Sequence, residues 1–265
     1  MAVLCSFQWE EYPVYGLRLQ IMQAQTSGNQ DEKKHVIYKI IARIISSKDD
    51  LKPVIFDRRY TQFSDLYYTL KKEHPHLMTF KYDFPSKKLF GNFSYDLVCE
   101  RGVAFEEMMN HIIMETNLRN SKAMLEFLQD TELKKAKDCL STANYSAAMP
   151  LLEQNFLLLN KIFTNRHPPV ILALSRLFAC CMEIPDMPNA FKYGSLAVNR
   201  FEWVCDTYLL ELYIPLIHAC IKVWNQFDKD DTYLKDQLLS LKRQGINVNQ
   251  NLDLVAAIDV VEKKL

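Results

Sequence analysis

Residues 58–63 read Arg-Arg-Tyr-Thr-Gln-Phe, and the hydrophobic period of the chain changes across them. Just upstream, Pro53 to Arg58 is short and carries Val54, Ile55 and Phe56, the composition of a strand. Just downstream, Phe63, Leu66, Tyr67 and Leu70 recur at i, i+3, i+4 and i+7, which is one face of a helix. A strand therefore ends, and a helix begins, at the arginine pair. Further upstream, Val14 to Ala24 sets Leu17, Leu19 and Ile21 on alternate positions, and His35 to Ile45 is rich in Val, Ile and Tyr. The polar cluster Thr26-Ser27-Gly28-Asn29-Gln30-Asp31 between them suits a hairpin turn. Downstream, His74 to about Asn92 reads as a loop holding Pro75 and Pro85. Glu100-Arg101 then opens a second helix, with Phe105, Met108, Met109, Ile112 and Ile113 on its apolar face. Ser121 is placed to cap a short third helix carrying Met124, Phe127 and Leu128. Strands followed by helices in one segment predict an α+β domain, an N-terminal three-stranded antiparallel sheet with a helical subdomain.

From about Thr131 onward the strand signal ceases. Helical patterns run approximately 131–142, 145–163, 168–183, 188–203, 207–227, 231–244 and 252–264. Pro168 and Pro188 suit first-turn positions, and Gly245 suits a helix stop. Pro150 and Pro215 fall inside helical patterns, where they kink a helix or mark a boundary. Ala148, Leu152 and Phe156 are echoed at Ala190, Gly194 and Val198, with a poorer copy at Thr232, Asp236 and Ser240. Small residues at one phase of successive helices let antiparallel neighbours approach, so the expectation is an all-α, tetratricopeptide-like helical-repeat domain. Trp203, Tyr208, Tyr213, Trp224 and Tyr233 are expected mostly in its core.

The composition excludes several functions. Thirty-two Lys+Arg balance 32 Asp+Glu in 265 residues, and bulk adhesion to nucleic acid or an anionic surface needs an excess of positive charge. No nucleic-acid partner is expected, and any contact with phosphate has to be local. The 7 cysteines are odd in number and include no C-x-x-C, so they read as small core residues of a reducing compartment. The first twenty residues lack a signal-peptide layout, and the expected location is cytoplasmic. The 6 histidines show no metal-ligand spacing, His74-Pro75-His76 included. No nucleophile elbow, P-loop or dinucleotide fingerprint occurs. The expectation is a protein that is not an enzyme, with no metal and no cofactor.

Three basic clusters stand at element junctions: Arg58-Arg59, the loop Phe84-Pro85-Ser86-Lys87-Lys88-Leu89-Phe90-Gly91-Asn92, and Glu100-Arg101. One arginine pair beside an aromatic is ordinarily a solvated edge. Three clusters in this order could converge on one anionic pocket. In RRYTQF, FPSKKLFGN and the ER-x-x-x-F helix start, the chain resembles the PX (phox-homology) phosphoinositide-binding domain of the sorting nexins, over roughly residues 12–130. The helical remainder, 131–265, resembles the PX-associated B domain, a pairing found in the sorting nexin 20 and sorting nexin 21 subgroup.

The resemblance implies a set of roles. Arg59, before the tyrosine of the motif, would hold the 3-phosphate, and a guanidinium fork suits paired phosphate oxygens in a way an ammonium cannot copy. Tyr60 would floor the inositol ring, Lys87 or Lys88 would reach the 1-phosphate, and Arg101 would bond the 4- and 5-hydroxyls. Arg58 is expected to flank the pocket or pair with Asp57 or another acid. Either Leu89 and Phe90 dip into the acyl boundary of a membrane, or Phe90 and Phe93 pack the loop onto the domain. The implied protein is a peripheral adaptor on the early endosome. It would read phosphatidylinositol 3-phosphate with its front half and hold a protein cargo or adaptor with its helical half. The alternative is a protein scaffold with weak or broadened lipid specificity, bisphosphorylated lipids included.

Overall fold

The computed structural model describes residues 16–28, 33–45, 53–79, 84–184, 187–201, 207–249 and 253–264. The chain divides into two compact units, Met1–Leu128 and Gln129–Leu265.

In the front unit, β1 (Leu17–Ser27), β2 (His35–Ile44) and β3 (Val54–Arg59) form an antiparallel sheet in the order β1-β2-β3. β1 and β2 pair from Leu17↔Ile44 to Ser27↔His35, with an irregularity between Ile21 and Gln23; β2 and β3 pair from Ile37↔Arg59 to Ala42↔Val54. The buried face keeps a period of two: Leu17 and Leu19, then Val36, Tyr38, Ile40 and Ala42, then Val54, Phe56 and Arg58. β1 extends to Ser27, so Thr26 and Ser27 belong to the strand rather than the turn; 29–32 lie outside the described residues, as does Val14.

Against this face pack α1 (Tyr60–Glu73), which touches β2 and β3, and α2 (Tyr95–Met114), which touches β1. Their contact is aromatic. Phe63 and Phe105 stack with centroids 4.0 Å apart and planes at 7°, and Tyr38 meets Phe105 edge-on at 5.0 Å. The second helix begins at Tyr95, earlier than the sequence suggests, so Arg101 sits in its second turn. A four-residue helix, α3 (Thr116–Arg119), precedes α4 (Lys122–Ser141). Ser121 caps α4 by accepting from the Met124 N–H at 3.1 Å. The expected short helix and the expected 131–142 helix are one continuous α4.

Arg58 does not flank a pocket. It is fully buried, and its Nε donates to the Phe127 carbonyl at 2.5 Å and its Nη2 to the Leu128 carbonyl at 2.9 Å. Its guanidinium lies over the rings of Phe56 and Phe127. The Asp57 carboxylate, which the sequence offered as a partner, instead pairs with Lys39 at 3.4 Å. Strand alternation explains the difference: Val54, Phe56 and Arg58 share one side of β3, and that side is the core.

The back unit holds the rest of α4 with α5 (Tyr145–Ile162), α6 (Pro168–Met182), α7 (Met187–Phe201), α8 (Thr207–Gln226), α9 (Thr232–Arg243) and α10 (Leu254–Glu262). α6 is apolar on nearly every side, from Pro169 to Leu174 and again at Leu177 and Phe178, and such a helix must be surrounded. It is: α5, α7, α8 and α10 all pack on it. Gly194 lets α7 approach, since a Cβ there would stand 2.8 Å from the Phe178 ring and 3.2 Å from Trp224. Pro150 and Pro215 interrupt neither α5 nor α8. α9 ends at Gly245 (φ +84°), where Gly245 N–H bonds Lys242 O and Ile246 N–H bonds Leu241 O, the paired bonds of a left-handed C-cap. Tyr213 and Trp224 are core, Tyr233 is exposed, and the side chains of Trp203 and Tyr208 lie outside the described residues.

α10 is tied down by charge. Glu262 accepts from Lys137 at 2.7 Å and meets Arg176 at 3.1 Å, and Lys264 pairs with Glu211 at 2.5 Å. Burial lowers the affinity of Arg176 for its proton, and Glu262 opposes that. Burial likewise pushes the Glu262 carboxyl up, but Arg176 and Lys137 outweigh it and hold it below the ordinary carboxylate range.

Two outcomes follow from these contacts. Arg58→Ala leaves a void between Phe56 and Phe127 and should cost about 2–5 kcal/mol in chemical denaturation, whereas exposed Arg59→Ala should stay within about 0.5 kcal/mol. Glu262 has a folded pKa below its unfolded one, so its contribution is present above the ordinary value of 4.5 and is lost as pH falls through the folded value. Glu262→Gln should lower the unfolding midpoint at pH 7 and flatten the loss of stability on acidification.

Candidate functional site

The pleat that turns Arg58 inward turns Arg59 outward at the last position of β3. The Arg59 main-chain N–H donates to Gln62 Oε1 at 2.9 Å, closing the first turn of α1. Its guanidinium is exposed and, among the described residues, has no hydrogen bond or ion pair. Tyr60 follows as the first residue of α1. Its ring is half-buried beside Phe84 and Phe105, and its hydroxyl donates to the Pro85 carbonyl at 3.0 Å.

Arg101 joins this tyrosine to the loop. Its guanidinium lies 4.3 Å from the centroid of the Tyr60 ring. Nη2 donates to Ser86 O at 3.0 Å and to Asn92 Oδ1 at 2.9 Å, and Nη1 reaches Asn92 O at 3.4 Å. The side chain is only 3% exposed, and its Nε finds no acceptor among the described residues. Burial raises the pKa of the Tyr60 and Tyr38 phenols, and the Arg101 charge pulls both the other way. A cation enclosed in this way has to spend its donors on protein acceptors.

Asn92 is the residue that the sequence pattern did not single out for a role. Its Oδ1 accepts from the Lys88 N–H at 3.0 Å as well as from Arg101, and its Nδ2 donates to the Lys88 carbonyl. Residues 88–92 are thereby closed into a ring, with Gly91 at φ +77° making the turn and Ser94 N–H bonding Gly91 O. The signal was present as Gly-Asn four residues after a lysine, a spacing at which a short amide reaches back to the main chain.

The ring leaves Lys87 and Lys88 exposed and puts Leu89 and Phe90 at its tip, 94% and 89% exposed. They do not pack the loop onto the domain. Phe93 does so in part, beneath Lys34 at 4.9 Å. The structure thus brings Tyr60, Arg101 and the Pro85–Asn92 loop into contact, places Arg59 at the adjoining strand end, and keeps Arg58 out.

Among the described residues no group of three or more His, Cys, Asp or Glu could hold a metal ion, and no helix is long and apolar enough to cross a membrane. Burial pushes the Cys180 thiol up to about 11 and raises Cys220 as well, so neither is a thiolate at neutral pH.

Residues 47–131 match the family model of the PX domain. Over 212 residues the chain is 30% identical to bovine sorting nexin-20, spanning 77% of this chain and 63% of that protein. It is 25% identical over 214 residues to human sorting nexin-21, spanning 80% and 56%. Human sorting nexin-15 is 30% identical over 106 residues, 38% of this chain. The chain spans less than two thirds of the length of these relatives. It carries a PX domain and is homologous to sorting nexin-20 and sorting nexin-21 over 77% and 80% of its length.

Proposed function

We propose that the front half, residues 12–130, binds a phosphoinositide headgroup, phosphatidylinositol 3-phosphate above others, and docks the protein peripherally on early endosome membranes. The helical half, 131–265, would serve as a tetratricopeptide-like, PX-associated B domain that holds a protein cargo or adaptor in endosomal trafficking. One observation carries the reading: an exposed Arg59, without a side-chain partner among the described residues, stands directly before a tyrosine that is fastened to a lysine-bearing loop with an exposed apolar tip.

In this reading Arg59 grips the 3-phosphate, Tyr60 floors the ring, and Lys87 or Lys88 meets the 1-phosphate. Leu89 and Phe90 enter the acyl boundary, where each buried side chain contributes about 1.5–3 kcal/mol. A single weak anchor is seldom enough, and headgroup and tip together supply two. With 32 charges of each sign, plain anionic vesicles would be held poorly.

The position of Arg101 favours a second reading of specificity. Its Nη donors already serve Ser86 and Asn92, so inositol hydroxyls would have to compete with the loop for them. A site that reads its hydroxyls weakly discriminates less among isomers, and lipids with a second phosphate would then bind as well. A vesicle panel with the full chain separates the two.

Arg59→Gln removes a charged donor worth about 1.5–3 kcal/mol, so binding to vesicles containing phosphatidylinositol 3-phosphate should fall roughly 10- to 150-fold. Wild-type sedimentation by this variant would remove the assignment. The double change Leu89→Ser, Phe90→Ser should weaken vesicle binding while leaving the affinity for soluble inositol 1,3-bisphosphate unchanged in calorimetry. Asn92→Ala opens the ring at a cost of about 0.5–1.5 kcal/mol per neutral hydrogen bond lost. It should weaken both vesicle and soluble headgroup binding, since it loosens Lys88 and Arg101 together.

A further inference from the structure

A second concave feature lies on the other flank of α2. Between β1 and α2 runs a groove of about 730 Å³, bounded by Met22, Phe93, Tyr95 and Val103, with Glu106 and Glu107 at one side. Exposed apolar side chains gather here: Tyr95 is 81% exposed, Val103 69% and Met22 55%. Isolated exposed apolar residues are ordinary, but several lining one concavity mark a surface built for contact.

The main chain beside them is also open. Among the described strands β1 stands at the edge of the sheet, with β2 on one of its sides. Along its first half, side chains of α2 stand in for a neighbouring strand. Asn110 accepts from the Leu19 N–H at 3.1 Å and donates to the Leu19 carbonyl at 2.8 Å, and Glu106 accepts from the Ile21 N–H at 2.9 Å. Beyond the irregularity at Met22 this substitution stops. From Met22 to Ser27 the outer edge makes no hydrogen bond to any described residue. An exposed edge is a template for another strand.

We propose that this groove receives an extended peptide, which adds to β1 at Met22–Ser27 as a fourth strand and sets a basic side chain against Glu106 and Glu107. Main-chain bonds would give the affinity. Alternate side chains would fill the space between Met22, Tyr95 and Val103, and the two carboxylates would select Lys or Arg over Asp or Glu. Nothing in this depends on the headgroup reading, because Arg59, Lys87 and Lys88 are not among the lining residues.

The test is selection of a random dodecapeptide phage library on the immobilised full chain, with parallel selection on Val103→Glu. The expected enrichment is for β-branched or aromatic residues at alternate positions with at least one Lys or Arg. A synthetic peptide of that sequence should bind Val103→Glu or Tyr95→Ala at least tenfold more weakly, and Arg59→Gln as well as wild type. N-methylation of alternate amides in the peptide should show a period of two, one phase losing tenfold or more and the other retaining affinity. This readout uses the wild-type protein and is independent of how any variant folds. The proposal is overturned by equal enrichment on Val103→Glu, by an acidic consensus, or by N-methyl scans indifferent to phase. Binding that appears only after residues 1–15 are removed would identify that segment as the occupant, and a loss by Val103→Glu of vesicle binding alone would identify the membrane; either result also overturns it.

Discussion

The division of labour in the front unit rests on the pleat of β3. Two adjacent arginines have the same charge and the same donors, and a two-residue period sends them to opposite environments. Arg58 falls in step with Val54 and Phe56 and is buried, while Arg59 falls in step with Ile55 and Asp57 and is left in solvent. A slip of one residue in the pairing of Ile37 with Arg59 would exchange them. It would put an unpaired cation in the core and leave the α4 carbonyls of Phe127 and Leu128 without their donors. The register that makes the fold stable is therefore the register that leaves Arg59 available.

The same economy governs the loop. A buried guanidinium is costly unless its N–H groups find acceptors, and Arg101 places both Nη groups on Ser86 and Asn92, which flank Lys87 and Lys88 in the loop. The desolvation that would otherwise destabilise the domain becomes a reason for the loop to stay closed. Tyr60 joins the arrangement from the far side, with its face on Arg101 and its hydroxyl on Pro85. Arg59 comes from a strand, and the lysines from a loop held by a helix. In a chain of zero net charge, Arg59 thus stands next to the tyrosine that packs on Arg101, and Arg101 holds the loop that carries the two lysines.

Much of this was legible in the sequence, and what was missed has a common physical cause. The strands and the face of α1 were read from periods of two and 3.6, signals that need no tertiary context. The environment of Arg58 was written in the same alternation, but the motif around it drew attention to charge rather than parity. Arg101 shows the parallel case. Once α2 begins at Tyr95, Leu97, Arg101, Phe105 and Met108 fall on one face, and that face is buried. Placing the helix start at Glu100 hid the relation and made Arg101 look like a free reader of ligand. Asn92 was invisible for another reason: its partners are a main-chain group four residues back and a side chain nine residues on, and no hydrophobic period encodes either.

The helical unit shows how far a repeat signal reaches. Ala148, Ala190 and Gly194 are buried at points where helices close on one another, and at Gly194 the space beside Phe178 admits no Cβ without a shift. The third copy, Thr232, Asp236 and Ser240, is exposed. That contrast follows from α6. It is apolar on nearly all sides and needs neighbours all round; α5 and α7 supply two of them and α8 a third, so the small residues of α5 and α7 are under steric demand. α9 packs on α8 and is not among the main neighbours of α6, and its phase is free to drift. α10 also packs on α6, and Glu262 pairs there with Arg176. Steric demand beside α6 accounts for the buried glycine of α7, and α10 adds an ion pair to its packing on the same helix.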